Sequence, residues 1–190
     1  VHDTTDDFIE TAHQRNIDFC IQCDENLPPE VWADRSIIEK IVMNLLSNAF
    51  KYTPDKGRIL IETRQGNHFT SVYPNSYTVG ESGSDVFSII VSDTGIGISG
   101  ESISSVFERF YKVNTVNVDS HLGTGIGLAL VKSLVLLHKG SITIYSEREK
   151  GTDMVVCLPL DKTIFAPEDF MQPTQETVPV SQSAAETTED

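Results

Sequence analysis

The sequence predicts an α/β two-layer sandwich, in which a mixed β-sheet of about five to six strands carries three main helices on one face. Three segments, 3–15, 36–50 and 126–139, have the apolar spacing of helices. Two short apolar or alternating runs follow each of them, which gives the order α-β-β-α-β-β-α-β-β. Helices that alternate with pairs of strands are expected to pack on one common sheet.

Composition and charge limit the class of protein. The chain has 190 residues, of which 39% are hydrophobic and 22% charged, as is usual for a globular domain. Its formal net charge of −14 argues against nucleic-acid binding, because phosphate neutralisation needs basic surface. The longest apolar stretches are shorter than the roughly 20 residues that span a bilayer, so no membrane contact is expected. Because the chain begins with Val1 rather than Met, we expect a piece of a larger protein.

Two regions are predicted along the chain. Residues 1–160 form the folded domain, and residues 161–190 form a flexible acidic linker or tail. The tail holds three prolines, seven acidic residues and one basic residue, and it has no apolar periodicity. Segments of this kind cannot bury enough apolar surface to fold alone.

Local signals mark the ends of the predicted elements. Ser36 is predicted to cap the second helix, with Glu39 completing a capping box, and Gly140 to cap the end of the third helix. Residues 65–85 form a long insertion rich in Gly, Ser, Asn and Tyr, which we interpret either as a partner surface or as a mobile loop. The predicted strands are 17–23, 31–34, 58–64, 86–92, 141–146 and 153–159.

The three cysteines are predicted to be structural and reduced. Cys20 and Cys23 form a C-x-x-C pair, but in an alternating strand positions three apart point to opposite faces. No second C-x-x-C is present to complete a zinc site.

A polar stripe on the second helix suits the binding of phosphate and metal. The stripe spans about 80° of arc and consists of Lys40, Asn44, Asn48 and Lys51. An Asn side-chain oxygen is a hard ligand for Mg²⁺, which keeps waters and takes phosphate oxygens as its other ligands. Lys51 would face the same phosphates as a point charge. The alternative is an ordinary solvated helix face.

A carboxylate followed by glycines comes directly after the strand 86–92. In Asp93-Thr94-Gly95-Ile96-Gly97 the Asp can accept a hydrogen bond from the exocyclic amine of adenine. Guanine presents a carbonyl oxygen at that position and would be repelled. Gly95 and Gly97 lack a Cβ, so they would let the backbone approach a flat base. The alternative is an ordinary Asp-Gly turn.

A glycine loop opens the third helix. Its sequence is Gly123-Thr124-Gly125-Ile126-Gly127-Leu128. Such a loop presents backbone N–H groups and the positive end of the helix dipole to phosphate. The spacing is not that of a dinucleotide site, and a long loop from about 99 to 124 precedes it instead of a first strand. The alternative is a flexible hinge.

The long loop carries an aromatic and basic cluster, Phe107-Glu108-Arg109-Phe110-Tyr111-Lys112. Its aromatic side chains could pin a mobile loop, and Arg109 or Lys112 could reach phosphate. The alternative is a local hydrophobic staple.

Together the four motifs resemble the N, G1, F and G2 boxes of the ATP-binding domain of sensor histidine kinases. That domain belongs to a superfamily shared with gyrase, a heat-shock chaperone and the mismatch-repair ATPases, and it has the Bergerat ATP-binding fold. The motifs occur in the family's order, and the resemblance covers about residues 8–159.

The resemblance implies roles for individual residues. Asn44 would coordinate Mg²⁺, Tyr52 would lie against adenine, and Asp93 would accept the adenine amine. Residues of about 99–122 would form a lid that closes over ATP. The implied catalytic residues are Asn44, Lys51 and Arg109. The implied nucleotide-binding residues are Asn48, Tyr52, Asp93, Gly95, Gly97, Lys112, Gly123, Thr124, Gly125, Gly127 and Leu128.

The implied activity is transfer of the γ-phosphoryl group of MgATP to a histidine on a separate dimerisation segment. The phosphoryl group would then pass to the receiver domain of a response regulator in the cytoplasm. His2 has an acidic neighbour in Asp3 but stands too close to the domain to be the acceptor, and the other four histidines have no acidic neighbour. The fragment is therefore expected to be inactive in transfer alone. It is also expected to be monomeric, because dimerisation in the family belongs to the missing helices. The tail suits a hybrid kinase with a receiver domain after it, and the parent protein can be anchored in the inner membrane.

Three other functions stay open. A gyrase- or chaperone-type ATPase would need a water-activating Glu four residues before Asn44, where this chain has Lys40, and Glu39 is rotated about 100° round the helix. A nucleotide-binding regulatory module without catalytic output would use the same binding residues. A serine kinase of the anti-sigma-factor type shares the boxes, although the tail after residue 160 argues against it.

Overall fold

The chain forms one six-stranded mixed sheet with helices on one face, so the predicted fold class is confirmed. The computed structural model describes residues 2–25, 27, 31, 33–112, 124–161, 163 and 165. The helices are α1 (His2–Arg15), α2 (Arg35–Tyr52) and α3 (Gly127–Leu137), with a 3₁₀ turn at Ser105–Phe107. The strands are β1 (Asp18–Cys23), β2 (Arg58–Gln65), β3 (Asn75–Gly80), β4 (Val86–Asp93), β5 (Ser141–Glu147) and β6 (Gly151–Pro159).

The strand order across the sheet is β1-β2-β4-β6-β5-β3. The pair β1–β2 is parallel, and each of the other four pairs is antiparallel. The central strands β4 and β6 are buried along almost their whole length, which explains their nearly continuous apolar sequences. Asp93 therefore stands at the end of a central strand, opposite Thr152 of β6.

The main core lies between the sheet and the helices. The α2 side chains Ile41, Leu45 and Leu46 are almost completely buried against inward-facing residues of the sheet. A smaller apolar cluster lies on the outer face, opposite the helices, and consists of Val86, Ile90, Val155 and Cys157. Both faces of the central strands are thus covered.

The start of α2 corrects two predictions. The N-cap is Asp34 rather than Ser36, because the Asp34 carboxylate accepts the Ser36 N–H at 2.8 Å. The predicted strand at 31–34 is wrong, since Val31, Ala33 and Asp34 have no strand pairing and the last of them caps the helix. Glu39 pairs instead with the Arg35 guanidinium at 2.7 Å.

The end of α3 corrects a third prediction. His138 is the C-cap, and the following Lys139 rather than Gly140 takes the left-handed conformation, with φ 54°. The N–H groups of Lys139 and Gly140 donate to Leu136 and Val135, which is the Schellman pattern. A Cβ at Gly140 would overlap the Cys157 carbonyl oxygen, so close packing on β6 requires this glycine.

The insertion 65–85 contains a strand that the sequence did not predict. Strand β3 pairs with β5 at the far edge of the sheet, and three strands lie between β3 and β2. The connection at 66–74 therefore has to cross β4, β6 and β5. It does so on the outer face, where Phe69 packs against the smaller apolar cluster.

All three cysteines are free; Cys157 is buried, Cys20 is half-buried and Cys23 is exposed. In the part of the chain that the structure describes, no three His, Cys, Asp or Glu side chains come together as a metal site. No helix among the described residues is long and apolar enough to cross a membrane. The predicted tail lies outside the described residues, apart from positions 161, 163 and 165.

Candidate functional site

A cavity of about 240 Å³ opens between α2, the start of α3 and the ends of β4 and β6. All four sequence motifs contribute residues to its lining. The lining residues predicted from the sequence are Asn44, Asn48, Lys51, Tyr52, Asp93, Gly97, Lys112, Thr124, Gly125, Gly127 and Leu128. The fold therefore brings together residues that are up to 84 positions apart in the chain.

Helix α2 gives the cavity its length. Asn44 and Tyr52 both line the cavity and are eight residues apart on one helix, a separation of about 12 Å along the axis. Asn44 lies next to the start of α3, whereas the Tyr52 carbonyl accepts the Ile96 N–H in the turn after β4. The cavity thus has a helix-terminus end and a strand end.

The Asn44 side chain is oriented by its own helix. Its Nδ2 donates to the Lys40 carbonyl at 2.7 Å, which directs Oδ1 towards the start of α3. A Cβ at Gly127 would lie 2.8 Å from this Oδ1, so the glycine makes room for it. Asn44 is left with one acceptor oxygen available to a ligand at the helix-terminus end.

The start of α3 faces the same end of the cavity. Its N-cap residue Ile126 provides no side-chain cap, so the N–H groups of the first turn keep their capacity to bind an anion. Gly125 has φ 70°, and its carbonyl accepts the Phe110 N–H at 2.8 Å. This hydrogen bond joins Phe110, within the predicted lid, to the glycine loop that follows the lid. Gly123 lies outside the described residues.

Asp93 is the acidic group at the strand end. Its Oδ1 accepts the Gly95 N–H at 2.8 Å, which leaves Oδ2 for a ligand in the cavity. Burial raises the pKa of Asp93 to about 7, the Gly95 hydrogen bond opposes this shift, and the nearby charge of Asp153 adds to it. Among the described residues that line the cavity, Asp93 is the only carboxylate.

The glycines after Asp93 serve the backbone more than the cavity. Gly95 is buried outside the cavity lining, and a Cβ there would lie 2.6 Å from the Tyr52 carbonyl oxygen. Gly97 lines the cavity, but it has φ 61°, and a Cβ there would overlap the Glu147 carbonyl oxygen. Close packing against α2 and the β5–β6 turn accounts for both glycines.

The aromatic and basic cluster divides into buried and exposed parts. Phe107 is buried in the core, as a pinning residue would be, whereas the Phe110 side chain is 71% exposed. Arg109 is exposed and does not line the cavity, but Lys112 does. The expectation that both phenylalanines pin the loop is therefore wrong for Phe110, and a phosphate contact by Arg109 stays a prediction.

Lys51 and Tyr52 are in contact with each other. The Lys51 Nζ lies 4.7 Å from the centre of the Tyr52 ring, a cation–π geometry. Both side chains line the cavity and are half-buried. The ammonium group therefore stands over an aromatic face within reach of the cavity.

Much of the apolar lining was not predicted from the sequence. Val91, Ile98, Thr152 and Met154 all line the cavity. Thr152 and Met154 alternate along β6, so the two-residue period of a strand that follows a Gly-Thr turn could have indicated them. Their apolar surface suits a flat ring beside the Asp93 carboxylate.

The chain is similar to known proteins over most of its length. The family model described as "Histidine kinase-, DNA gyrase B-, and HSP90-like ATPase" matches residues 33–162. The sensor protein RprX of Bacteroides fragilis is 36% identical over 134 residues, which are 70% of this chain and 23% of that protein. The hybrid signal transduction histidine kinase D of Dictyostelium discoideum is 34% identical over 149 residues, 78% of this chain and 9% of that protein.

A solved structure gives the same fold. The nucleotide-free catalytic domain of histidine kinase ThkA superposes with a TM-score of 0.63 at 24% sequence identity, covering 84% of this chain and 89% of that one. The chain spans less than a third of the length of the curated relatives that it matches.

Proposed function

Because the chain belongs to the histidine kinase-, DNA gyrase B- and HSP90-like ATPase family, we propose that it binds MgATP and transfers the γ-phosphoryl group to a histidine on a separate segment. The fold and the family are those of histidine kinase catalytic domains. We further propose which residues hold the nucleotide and Mg²⁺, and that the acceptor histidine comes from outside this domain.

The observation that carries this proposal is the polarity of the two ends of the cavity. The strand end offers one carboxylate oxygen of Asp93 among apolar side chains, which suits the amine and flat ring of adenine. The other end, about 12 Å along α2, offers the Asn44 oxygen and the N–H groups at the start of α3. An adenine nucleotide has this same distribution of groups, with a base at one end and anionic phosphates at the other.

The residues present at the helix-terminus end fit Mg²⁺. Asn44 supplies a neutral oxygen whose amide nitrogen is already engaged with the Lys40 carbonyl. Mg²⁺ favours one or two protein oxygens together with water and substrate phosphates over a cage made only of protein ligands. Bound there, the ion would neutralise phosphate charge, while Asn48, Lys51 and the α3 N–H groups would hold the phosphate oxygens.

Transfer requires an acceptor from outside the cavity. The described residues that line it include no histidine, and their one carboxylate lies at the base-binding end. The contribution of this domain is therefore to orient the γ-phosphate and to balance its charge, which is the main protein contribution in phosphoryl transfer. The acceptor histidine would belong to the dimerisation segment of the parent kinase, and the phosphoryl group would pass on to a response regulator.

Direct hydrolysis is the less favoured activity. The position four residues before Asn44 is Lys40, whose carbonyl oxygen is engaged by the Asn44 amide. Glu39 is held by Arg35 at 2.7 Å and does not line the cavity. No carboxylate is thus available at the phosphate end to activate a water molecule, as far as the described residues extend.

Calorimetric titration with ATP in the presence and absence of Mg²⁺ tests this proposal. We expect Asn44→Ala to remove the Mg²⁺-dependent part of the affinity and to preserve metal-free binding through the adenine end. Asn67→Ala is the control, because the Asn67 amide bonds the Gly83 carbonyl far from the cavity lining. Equal Mg²⁺ dependence in Asn44→Ala and the wild type would contradict the assignment of the phosphate end.

A further inference from the structure

The connection at residues 66–74 lies behind the proposed adenine end of the cavity. It begins where Gly66 bonds to Val86 and Ser88 of β4, and it ends at Pro74, just before β3 at the opposite edge of the sheet. Between these points it runs over the outer face, which is the face opposite the cavity. We call it the outer segment.

An aromatic residue anchors the middle of the outer segment. The Phe69 ring packs on the smaller apolar cluster and lies 5.8 Å from the ring centre of Tyr145. The Arg64 guanidinium carbon lies 5.7 Å from the centre of the Phe69 ring, and the same guanidinium donates to the His68 carbonyl. Two residues further along the outer segment, Ser71 and Tyr73, contact the sheet through their hydroxyl groups.

Ser71 is the first of these residues. Its hydroxyl donates to Asp153 Oδ2 at 2.5 Å, and its oxygen accepts the Tyr73 N–H at 3.1 Å. The Asp153 residue is only 7% exposed, and a buried carboxylate is costly without a hydrogen-bond donor. The outer segment is therefore tied to β6 one residue away from Thr152, which lines the cavity.

Tyr73 is the second residue, and it reaches the backbone of Asp93 itself. Its hydroxyl lies 3.5 Å from the Asp93 carbonyl oxygen and 3.3 Å from that of Lys150. A Cβ on Gly151 would overlap the Asp93 carbonyl and would lie 2.5 Å from the Tyr73 hydroxyl, so these groups are packed without a gap. Burial raises the pKa of Tyr73 to about 12, so the hydroxyl remains a donor at neutral pH.

We propose that Tyr73 and Ser71 are positioning residues for adenine recognition, because they hold the ends of β4 and β6 from the outer face of the sheet and so fix the Asp93 carboxylate in the cavity. This inference rests on the proposed function. Asp93 is the last residue of β4, and strand ends move more easily than strand centres. A hydroxyl shared between the carbonyls of Asp93 and Lys150 ties the end of one strand to the turn before the next.

Loss of the Tyr73 or Ser71 hydroxyl should affect binding of the base and leave binding of the phosphates unchanged, whereas a general loss of packing would weaken both. Loosening the end of β4 changes the place of the base-reading carboxylate, whereas no residue of the outer segment lines the cavity, whose phosphate end lies on α2 and α3. Discrimination between ATP and GTP should therefore fall, while affinity for inorganic triphosphate with Mg²⁺ should stay constant.

The test compares Tyr73→Phe and Ser71→Ala with the wild type by titration with ATP, GTP and inorganic triphosphate. Tyr145→Phe is the matched control, since it removes a tyrosine hydroxyl from the same face of the sheet without touching Asp93. We expect Tyr73→Phe to weaken ATP binding about three- to tenfold, as loss of one hydrogen bond does, and to narrow the ATP-to-GTP ratio by a similar factor. Ser71→Ala should act in the same direction, and Tyr145→Phe should not.

Two results would overturn the inference alone. One is a ratio of ATP affinity to GTP affinity that is the same in Tyr73→Phe and Ser71→Ala as in the wild type. The other is an equal loss of affinity for ATP and for inorganic triphosphate, which would indicate general destabilisation. If the wild-type chain itself failed to prefer ATP, the proposed function would be contradicted, and the inference would fall with it.

Discussion

Replacement of Asp93 by asparagine exchanges one carboxylate oxygen for an amide NH₂ group at the proposed base-binding end. The Gly95 N–H donates to Oδ1 of Asp93, and an asparagine would keep that bond with its own oxygen. Its Nδ2 would then occupy the position of Oδ2 and face the cavity. The Nδ2 group donates hydrogen bonds, so it cannot accept one from the adenine amine. It can instead donate to the carbonyl oxygen of guanine.

The size of the effect follows from the kind of hydrogen bond that is lost. A bond to a charged group contributes roughly 1.5–3 kcal/mol, which corresponds to about a 10- to 150-fold loss of ATP affinity. GTP loses nothing of this kind, because its carbonyl oxygen is repelled by the wild-type carboxylate. We therefore expect the ATP-to-GTP ratio of Asp93→Asn to fall by at least the same factor.

Calorimetric titration of the wild type and Asp93→Asn with ATP and with GTP measures this ratio. Asp55→Asn is the control for the loss of one negative charge, because Asp55 pairs with Arg15 at 2.8 Å on an exposed surface. An unchanged ratio in Asp93→Asn would refute the assignment of Asp93 to the base. So would a wild-type chain that binds ATP and GTP equally.

Three further predictions concern the same residues. Burial and the charge of Asp153 raise the pKa of Asp93 to about 7, and the proton of the neutral group would sit on Oδ2, the oxygen that faces the cavity. Affinity for adenosine should therefore fall as the pH drops below about 7. A titration that shows constant affinity between about pH 5 and 8 would contradict this. Since the folded chain holds this proton more tightly than the unfolded chain, ionisation of Asp93 costs stability as the pH rises from about 4 to about 7. At pH 8 the free energy of unfolding of Asp93→Asn should therefore exceed that of the wild type, by at most about 4 kcal/mol, and its melting temperature should be higher. Thermal melts should show that this difference vanishes near pH 4. Gly127→Ala should place a methyl group 2.8 Å from Asn44 Oδ1 and lower the Mg²⁺-dependent affinity for ATP about three- to tenfold, even though alanine has the higher helix propensity. Equal affinities of the variant and the wild type in titration would show that Asn44 is not the Mg²⁺ ligand.

Much of the fold was readable from the sequence, because its signals are local. The three helices were predicted within about two residues at most ends, since each combines apolar periodicity with a recognisable stop. Strands β4 and β6 were predicted from nearly continuous apolar runs, which follow from burial on both faces. The cavity residues on α2 were found because a polar stripe on an otherwise buried helix needs an explanation.

The misses have non-local causes. Strand β3 is exposed along half of its residues, so its sequence lacks alternation, and only pairing with β5 defines it. Gly95 was assigned to the base, but it does not line the cavity, and the group that leaves no room for a Cβ there is the Tyr52 carbonyl, which is distant in the chain. The contact between Tyr73 and the Asp93 carbonyl depends on how the outer segment crosses the sheet, and no local pattern reports that path.

The central claim is that this domain donates a phosphoryl group to a histidine that it does not itself carry. Incubation of the chain with ATP labelled at the γ-phosphate, with and without the histidine-bearing segment of the parent kinase, tests this claim directly. We predict no label on the chain alone and negligible phosphate release, because no carboxylate among the described residues stands at the phosphate end. With the segment present, the label should appear on that segment and be acid-labile and alkali-stable, as phosphohistidine is. Rapid phosphate release by the chain alone, or an acid-stable label, would contradict the account.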